Sequence, residues 1–199
     1  MLRREEVTSV IAILGSPRRK GNSATLAENV ISGAKSMGAM VDTYFLHGMD
    51  IEPCDACGIC REDMNAECVI NDDMQKLYPK LRQADALVIA SPIYWFTVSA
   101  QTKLFMDRCY ALGVSEGNGL KEYGLKGKRI GIVLAYGDSD LFNSGAVNAI
   151  RTFQDAFTYV GATIVGMVYG SASDPGEIAA NRELTDKAFE LGRQLVEGL

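Results

Sequence analysis

The run Val7-Thr8-Ser9-Val10-Ile11-Ala12-Ile13-Leu14 leads into Gly15-Ser16-Pro17-Arg18-Arg19-Lys20-Gly21-Asn22-Ser23-Ala24-Thr25. The first part is an apolar run of strand length. Beyond the loop, Ala27, Val30, Ile31 and Ala34 recur at helical spacing. A buried strand that turns at a glycine and feeds directly into a helix is the opening unit of an α/β sheet. The start of such a helix also attracts anions, because its first N–H groups lack partners and its dipole presents partial positive charge. Helix capping by Asn22 or Ser23 accounts for one residue. It leaves Ser16, Arg18, Asn22, Ser23 and Thr25 unexplained as a set, so the loop reads as a phosphate site.

The same grammar repeats outward from this unit. Apolar runs at Val41–Leu46, Ala86–Ala90, Ile130–Ala135 and Thr163–Tyr169 follow Val7–Leu14 as buried strands. Helical spacing joins Met74, Leu77 and Leu81; Phe105, Cys109 and Leu112; Ala146, Ala149, Ile150, Phe153 and Phe157; and Leu184, Ala188, Leu191 and Leu195. Strands alternating with helices predict a five-stranded parallel sheet covered on both faces, a flavodoxin-like three-layer sandwich with strand order 2-1-3-4-5. The 199 residues suit one domain over 1–199, with a cysteine-rich insert at about 52–70. Gly113–Lys128 holds five glycines and reads as a mobile or partner-facing loop.

In open α/β sheets ligands bind beyond the carboxyl ends of the strands. The loops after the first, third and fourth strands are therefore expected to converge. The third strand ends at Ser91-Pro92-Ile93-Tyr94-Trp95-Phe96, where Pro92 stiffens the turn and three aromatics offer flat surfaces. At least one aromatic is expected to serve the core or a subunit interface, and Phe96 is the candidate. After the fourth strand come Tyr136 and Gly137. His47, the single histidine, reads as a surface or loop residue with no nucleophile or base beside it.

The first loop lacks both G-x-x-x-x-G-K-[ST] and G-x-G-x-x-G, which disfavours ATP and tightly held NAD. Its pattern G-S-x-R-x-x-G-N-S/T resembles instead the loop that wraps the FMN phosphate in the NAD(P)H-dependent FMN reductase family. The segment S-P-x-Y-W followed by Ser99, Lys103, Phe105, Asp107 and Arg108 is similar to a second signature of that family. The resemblance implies FMN bound by Ser16, Arg18, Asn22, Ser23 and Thr25, with Pro92, Ile93, Tyr94, Trp95, Phe96, Tyr136 and Gly137 around the isoalloxazine ring. No general base or covalent nucleophile is required.

Cys54, Cys57 and Cys60 fall at every third residue, and Cys68 follows after seven intervening residues. Thiolates at that spacing can turn inward around one centre, as compact iron-sulfur loops do. Zinc is the main metal competitor, although structural zinc sites usually divide into two distant C-x-x-C pairs. Unligated thiols are the plain alternative. The spacing C-x2-C-x2-C-x7-C resembles that of the iron-sulfur flavoproteins, which implies a [4Fe-4S] cluster beside FMN. In that family the cluster of one subunit can approach the flavin of another, so a homodimer or homotetramer is expected. Cys109 is expected in the core.

A net charge of −5 and the absence of a basic patch argue against nucleic acid. Composition, 47% hydrophobic and 23% charged, is that of an ordinary globular domain. The polar stretch Met1–Glu6 and the short run after it suit neither a signal peptide nor a membrane span, so a cytoplasmic setting with reduced cysteines is expected. The redox partner is expected to be NAD(P)H, a quinone or ferredoxin. A pure electron carrier and an FMN or quinone reductase with idle cysteines are the alternatives.

Overall fold

The computed structural model describes residues 7–62, 67–116 and 119–199. The expectation for Met1–Glu6, and the parts of the cysteine-rich and glycine-rich stretches at 63–66 and 117–118, lie outside these residues. The strands β1 (Ser9–Leu14), β2 (Met40–Phe45) and β3 (Ala86–Tyr94) come first, with β4 (Thr97–Val98) a short return strand. A hairpin β5 (Gly113–Glu116) and β6 (Gly119–Tyr123) precedes β7 (Arg129–Tyr136) and β8 (Thr163–Ser171). The helices are α1 (Asn22–Ser36), α2 (Met74–Gln83), α3 (Ala100–Arg108), α4 (Ala146–Tyr159) and α5 (Arg182–Val196).

The sheet runs β2-β1-β3-β7-β8, with all four pairings parallel. This is the flavodoxin-like order expected from the alternation of strands and helices. Side chains alternate along each strand and split the interior into two cores. Ile11, Ile13, Leu87 and Ile89 face α2, α3 and α4. Val10, Ala12, Val88 and Ala90 face α1 and α5. Small residues dominate the second face, and the two helices on it approach closely. A Cβ on Gly192 would lie 1.9 Å from Val30 O, and one on Gly33 would lie 1.9 Å from Phe189 O.

Two expectations are corrected. The third strand does not stop at Ala90 in a turn stiffened by Pro92; β3 continues to Tyr94 and Pro92 lies within it, opposite Ala135 of β7. Pairing with β1 ends at Ala90, so Pro92 falls where β3 has already lost that neighbour and a missing N–H is tolerated. The turn comes at Trp95–Phe96 and leads into β4. The glycine-rich stretch is not simply a loop, because β5 and β6 pair antiparallel within it. Its glycines partly serve close packing: Arg61 Nη1 would lie 1.8 Å from a Cβ on Gly113. Among the described residues no helix is long and apolar enough to cross a membrane.

Candidate functional site

Parallel strands present their carboxyl ends at one edge, and the loops after β1, β3, β7 and β8 meet there around a cavity of about 220 Å³. The first loop and the start of α1 contribute Ser16, Arg18, Asn22 and Ser23, β3 contributes Pro92, Ile93 and Tyr94, and the end of β7 with the loop after it contributes Tyr136 and Gly137. Ala172 and Ser173, from beyond β8, complete the wall. Sequence reasoning missed these two, since small residues after a strand carry no chemical signature.

The first loop is fastened from beneath. Ser99 caps α3 by accepting from Thr102 N at 3.2 Å, and its hydroxyl donates to Gly15 O at 2.7 Å. Gly15 is needed there because a Cβ would meet Thr102 Oγ1 at 1.9 Å. Asn22 is spent on the scaffold: its amide nitrogen donates to Ala172 O and Asp174 O at 3.3 and 2.9 Å, and its oxygen accepts from Ile178 N at 3.3 Å. Thr25 does not line the cavity; its hydroxyl donates back to Gly21 O at 3.2 Å. Ser16 Oγ accepts from Arg18 N at 3.0 Å.

Ser23 differs from all of these. Its Oγ is buried and, among the described residues, has no hydrogen-bond partner. It sits in the first turn of α1, where no side chain caps the helix and no acidic residue intervenes. A buried hydroxyl left unpaired is costly. An anionic ligand at the helix start would satisfy both it and the free N–H groups. The residues therefore fit a phosphate.

The aromatic rim opens outward. Tyr94, Trp95 and Phe96 are exposed, Trp95 by 91%, and Trp95 and Phe96 do not line the cavity. Phe96 is thus not a core residue of this chain. Trp95 and Phe96 carry left-handed φ values of 49° and 67°, the backbone strain that recurs at functional sites. Helix α4 holds the turn down. Asn148 Nδ2 donates to Phe96 O at 3.0 Å, and Gly145, lacking a Cβ, lets the Phe96 backbone come close. Burial, with Tyr169 and Asp140 nearby, raises the Tyr136 hydroxyl above its ordinary value.

A second cavity, of about 460 Å³, is bordered by Cys54, Cys57, Cys60 and Cys68 together, with Arg108 and Tyr110 opposite. Left-handed backbone at Ala56 and Gly58 curls the loop between the first three thiols. Cys54 and Cys57 are exposed, Cys68 is half-buried and Cys60 is buried. Burial raises the Cys60 thiol above its ordinary value, against the pull of Arg61 and with the other three thiols adding to the rise. Among the described residues no three His, Cys, Asp or Glu side chains stand close enough to hold a single ion.

The charges around this cavity are mixed: Arg108, Asp55 and Asp107 line it, and Arg61 follows directly on Cys60. The Arg61 guanidinium packs over the rings of Tyr110 and Tyr123, 4.1 and 4.8 Å from their centroids. Nε of Arg61 and Nε of Arg108 are both buried and without partners among the described residues. Four soft thiol ligands bordering one cavity, one of them accepting from Arg108 Nη2, are a donor set whose chemistry fits an iron-sulfur cluster. Cys109 is half-buried against the α2/α3/α4 core, and burial pushes its thiol up to about 12. His47 lies exposed in a short turn after β2, its Nδ1 3.3 Å from Gln101 Nε2.

Residues 8–175 match the family model of NADPH-dependent FMN reductase. An iron-sulfur flavoprotein of Methanosarcina thermophila is 34% identical, over 79% of this chain and 76% of that one. Another, of Methanocaldococcus jannaschii, is 31% identical over 94% of this chain and 95% of that one. In structure, the NAD(P)H:quinone oxidoreductase from Methanothermobacter marburgensis superposes with a TM-score of 0.72 at 19% identity, covering 96% of this chain and all of that one, which speaks to the fold.

Proposed function

The chain belongs to the NADPH-dependent FMN reductase family and is an FMN-dependent oxidoreductase; on that premise we propose that it moves electrons between FMN and a [4Fe-4S] cluster held by Cys54, Cys57, Cys60 and Cys68. The observation that carries the reading is the shared cavity, bordered by all four thiols although seven residues separate Cys68 from Cys60. The iron-sulfur flavoproteins similar to this chain support it.

In this reading the start of α1, Ser23 Oγ and Arg18 bind the FMN phosphate. Pro92, Ile93 and Tyr94 position the ring from one side, and Tyr136 and Gly137 flank it from the next loop. Trp95 and Phe96 rim the opening, while Ser16, Asn22 and Thr25 brace the loop from within. FMN when bound takes two electrons from a donor and gives them up singly, while a cluster passes one at a time. The chain's own part is to hold both groups still, exclude water and keep positive charge near the sulfur ligands. NAD(P)H or ferredoxin is the proposed donor and a quinone a proposed acceptor, in a cytoplasmic homodimer or homotetramer, a setting that would keep the cysteines reduced. Residues 1–199 act as one domain.

Anaerobic purification followed by counting FMN, iron and acid-labile sulfide per chain is the test. Full flavin without iron rejects the cluster. With iron present, Cys68→Ser is expected to lower cluster content while FMN stays bound. The open rim at Tyr94 and Trp95 favours one second reading, an NAD(P)H-dependent FMN or quinone reductase with idle cysteines, because it leaves a flat surface free for an acceptor. Rapid flavin bleaching by NADPH in iron-free protein would select it.

A further inference from the structure

Arg108 ends α3 and is 1% exposed, yet the function proposed above gives it no specific contact. Its guanidinium forms an ion pair with Asp72, whose side chain is equally buried: Nη1 bonds to Oδ2 and Nη2 to Oδ1 at 3.2 Å. Nη1 also donates to Glu52 O at 2.8 Å, and Nη2 donates to Cys68 Sγ at 3.4 Å. Asp72 answers from the other side, its carboxylate accepting from Glu52 N and Met74 N, each at 2.9 Å. Glu52 lies just before the first cysteine, while Cys68 and Asp72 lie at the far end of the segment. One ion pair thus fastens both roots of the cysteine loop and touches one of its sulfurs.

Burying two charges is expensive, and apolar residues of similar volume often stabilise a fold as well. The pair therefore calls for an explanation beyond stability. Hydrogen bonds and positive charge at a ligating sulfur favour the more negative, reduced form of an iron-sulfur centre and raise its potential. We propose that Arg108, held by Asp72, is a positioning residue for the cysteine centre: it fixes Cys68 against the root of the loop and, by donating to Cys68 Sγ, sets the reduction potential of that centre. The inference rests on the reading that the four cysteines hold iron.

The test uses the full chain purified anaerobically with both cofactors, comparing wild type, Arg108→Gln and Arg108→Lys. Iron and sulfide are counted, and the centre is titrated against ambient potential with its reduced form followed by electron paramagnetic resonance. Arg108→Gln is expected to lower the ratio of reduced to oxidised centre at fixed potential by about tenfold, a shift of ~59 mV for one electron. Arg108→Lys, which keeps the charge and loses the fork, is expected to recover part of it. Wild-type iron content and potential in Arg108→Gln overturn the proposal.

Should Arg108→Gln lose its iron, Arg108→Gln with Asp72→Asn removes both charges and leaves no buried ion unpaired. A lowered potential in that double variant supports the proposal, and an unchanged one overturns it. Loss of iron there too, with iron kept in Arg108→Lys and FMN kept in both, supports the positioning role. A wild-type chain without iron sinks the cluster reading and this inference together; a wild-type chain with iron beside indifferent variants sinks this inference alone.

Discussion

Ser23 is the residue on which the proposed phosphate site turns. Its hydroxyl is buried without a partner, so in the free chain it contributes nothing by hydrogen bonding and is a liability. Ser23→Ala is expected to leave the stability of FMN-free protein unchanged or slightly raised. FMN binding should weaken by about 1.5–3 kcal/mol, the range for hydrogen bonds to charged groups. Fluorescence titration of the stripped protein reads the second effect and urea unfolding the first; equal FMN affinity would remove Ser23 from the site. In the sequence, Ser16, Asn22, Ser23 and Thr25 look interchangeable, polar residues in one loop. What separates them is remote. Asn22 is committed to Ala172, Asp174 and Ile178, which lie about three-quarters of the chain away. Such partners cannot be read from local spacing. Phe96 misleads for a related reason, since its hydrophobicity suggests burial while its place at a strained turn puts it outside.

At the scale of elements, the periodicities of α1 and α5 are plain in the sequence, but their mutual approach is not. Gly192 stands inside α5, where alanine ordinarily gains about 1 kcal/mol in helix propensity. Its missing Cβ would lie 1.9 Å from Val30 O and 2.8 Å from Ala34 N, both rigid helix backbone. Overpacking of that kind typically costs 1–3 kcal/mol, and backbone cannot rotate aside as a side chain can, so the clash wins. Gly192→Ala is expected to lower stability by about 1–3 kcal/mol in urea unfolding at an unchanged m-value. A neutral or stabilised variant would mean the helices stand further apart. The β5–β6 hairpin escaped the sequence reading because its strands are short, glycine-rich and without alternation. The extension of β3 escaped it because proline ordinarily argues against a strand, unless one neighbour has already gone.

Across the whole molecule, the parallel order sends the loops after β1, β3, β7 and β8 to one edge, and the β2 connection that carries the cysteines leaves from the same edge. The convergence of the loops after β1, β3 and β7 follows from the alternation of strands and helices and was legible from the outset; the part played by the loop after β8 was not. The proposed ligand-binding edge is therefore where four separate chain segments are joined by backbone bonds, such as Gly15 N to Ala90 O, and by the side chains of Asn22 and Ser99. A ligand bridging those segments stabilises the native state by mass action. At a free FMN concentration a hundred times the dissociation constant, the gain is about 2.7 kcal/mol. For a chain of this size that corresponds to a rise in melting temperature of roughly 5–11 °C. Differential scanning calorimetry with and without FMN measures it, and no rise at saturating flavin would mean the edge does not hold the cofactor.

Helix α3 joins the two sites as a single rigid piece. It starts at Ser99, tied to the phosphate loop through Gly15 O, and nine residues later ends at Arg108 against the cysteine loop. The spacing between the phosphate loop and the cysteine loop is consequently counted in helical residues. Adding one would advance the far end by about 1.5 Å and swing it through roughly 100°, carrying the guanidinium away from Asp72 altogether. Either terminus can be retuned by substitution in its own loop, but the length of the path between them is quantised, and no gradual lengthening of α3 connects one working geometry to the next.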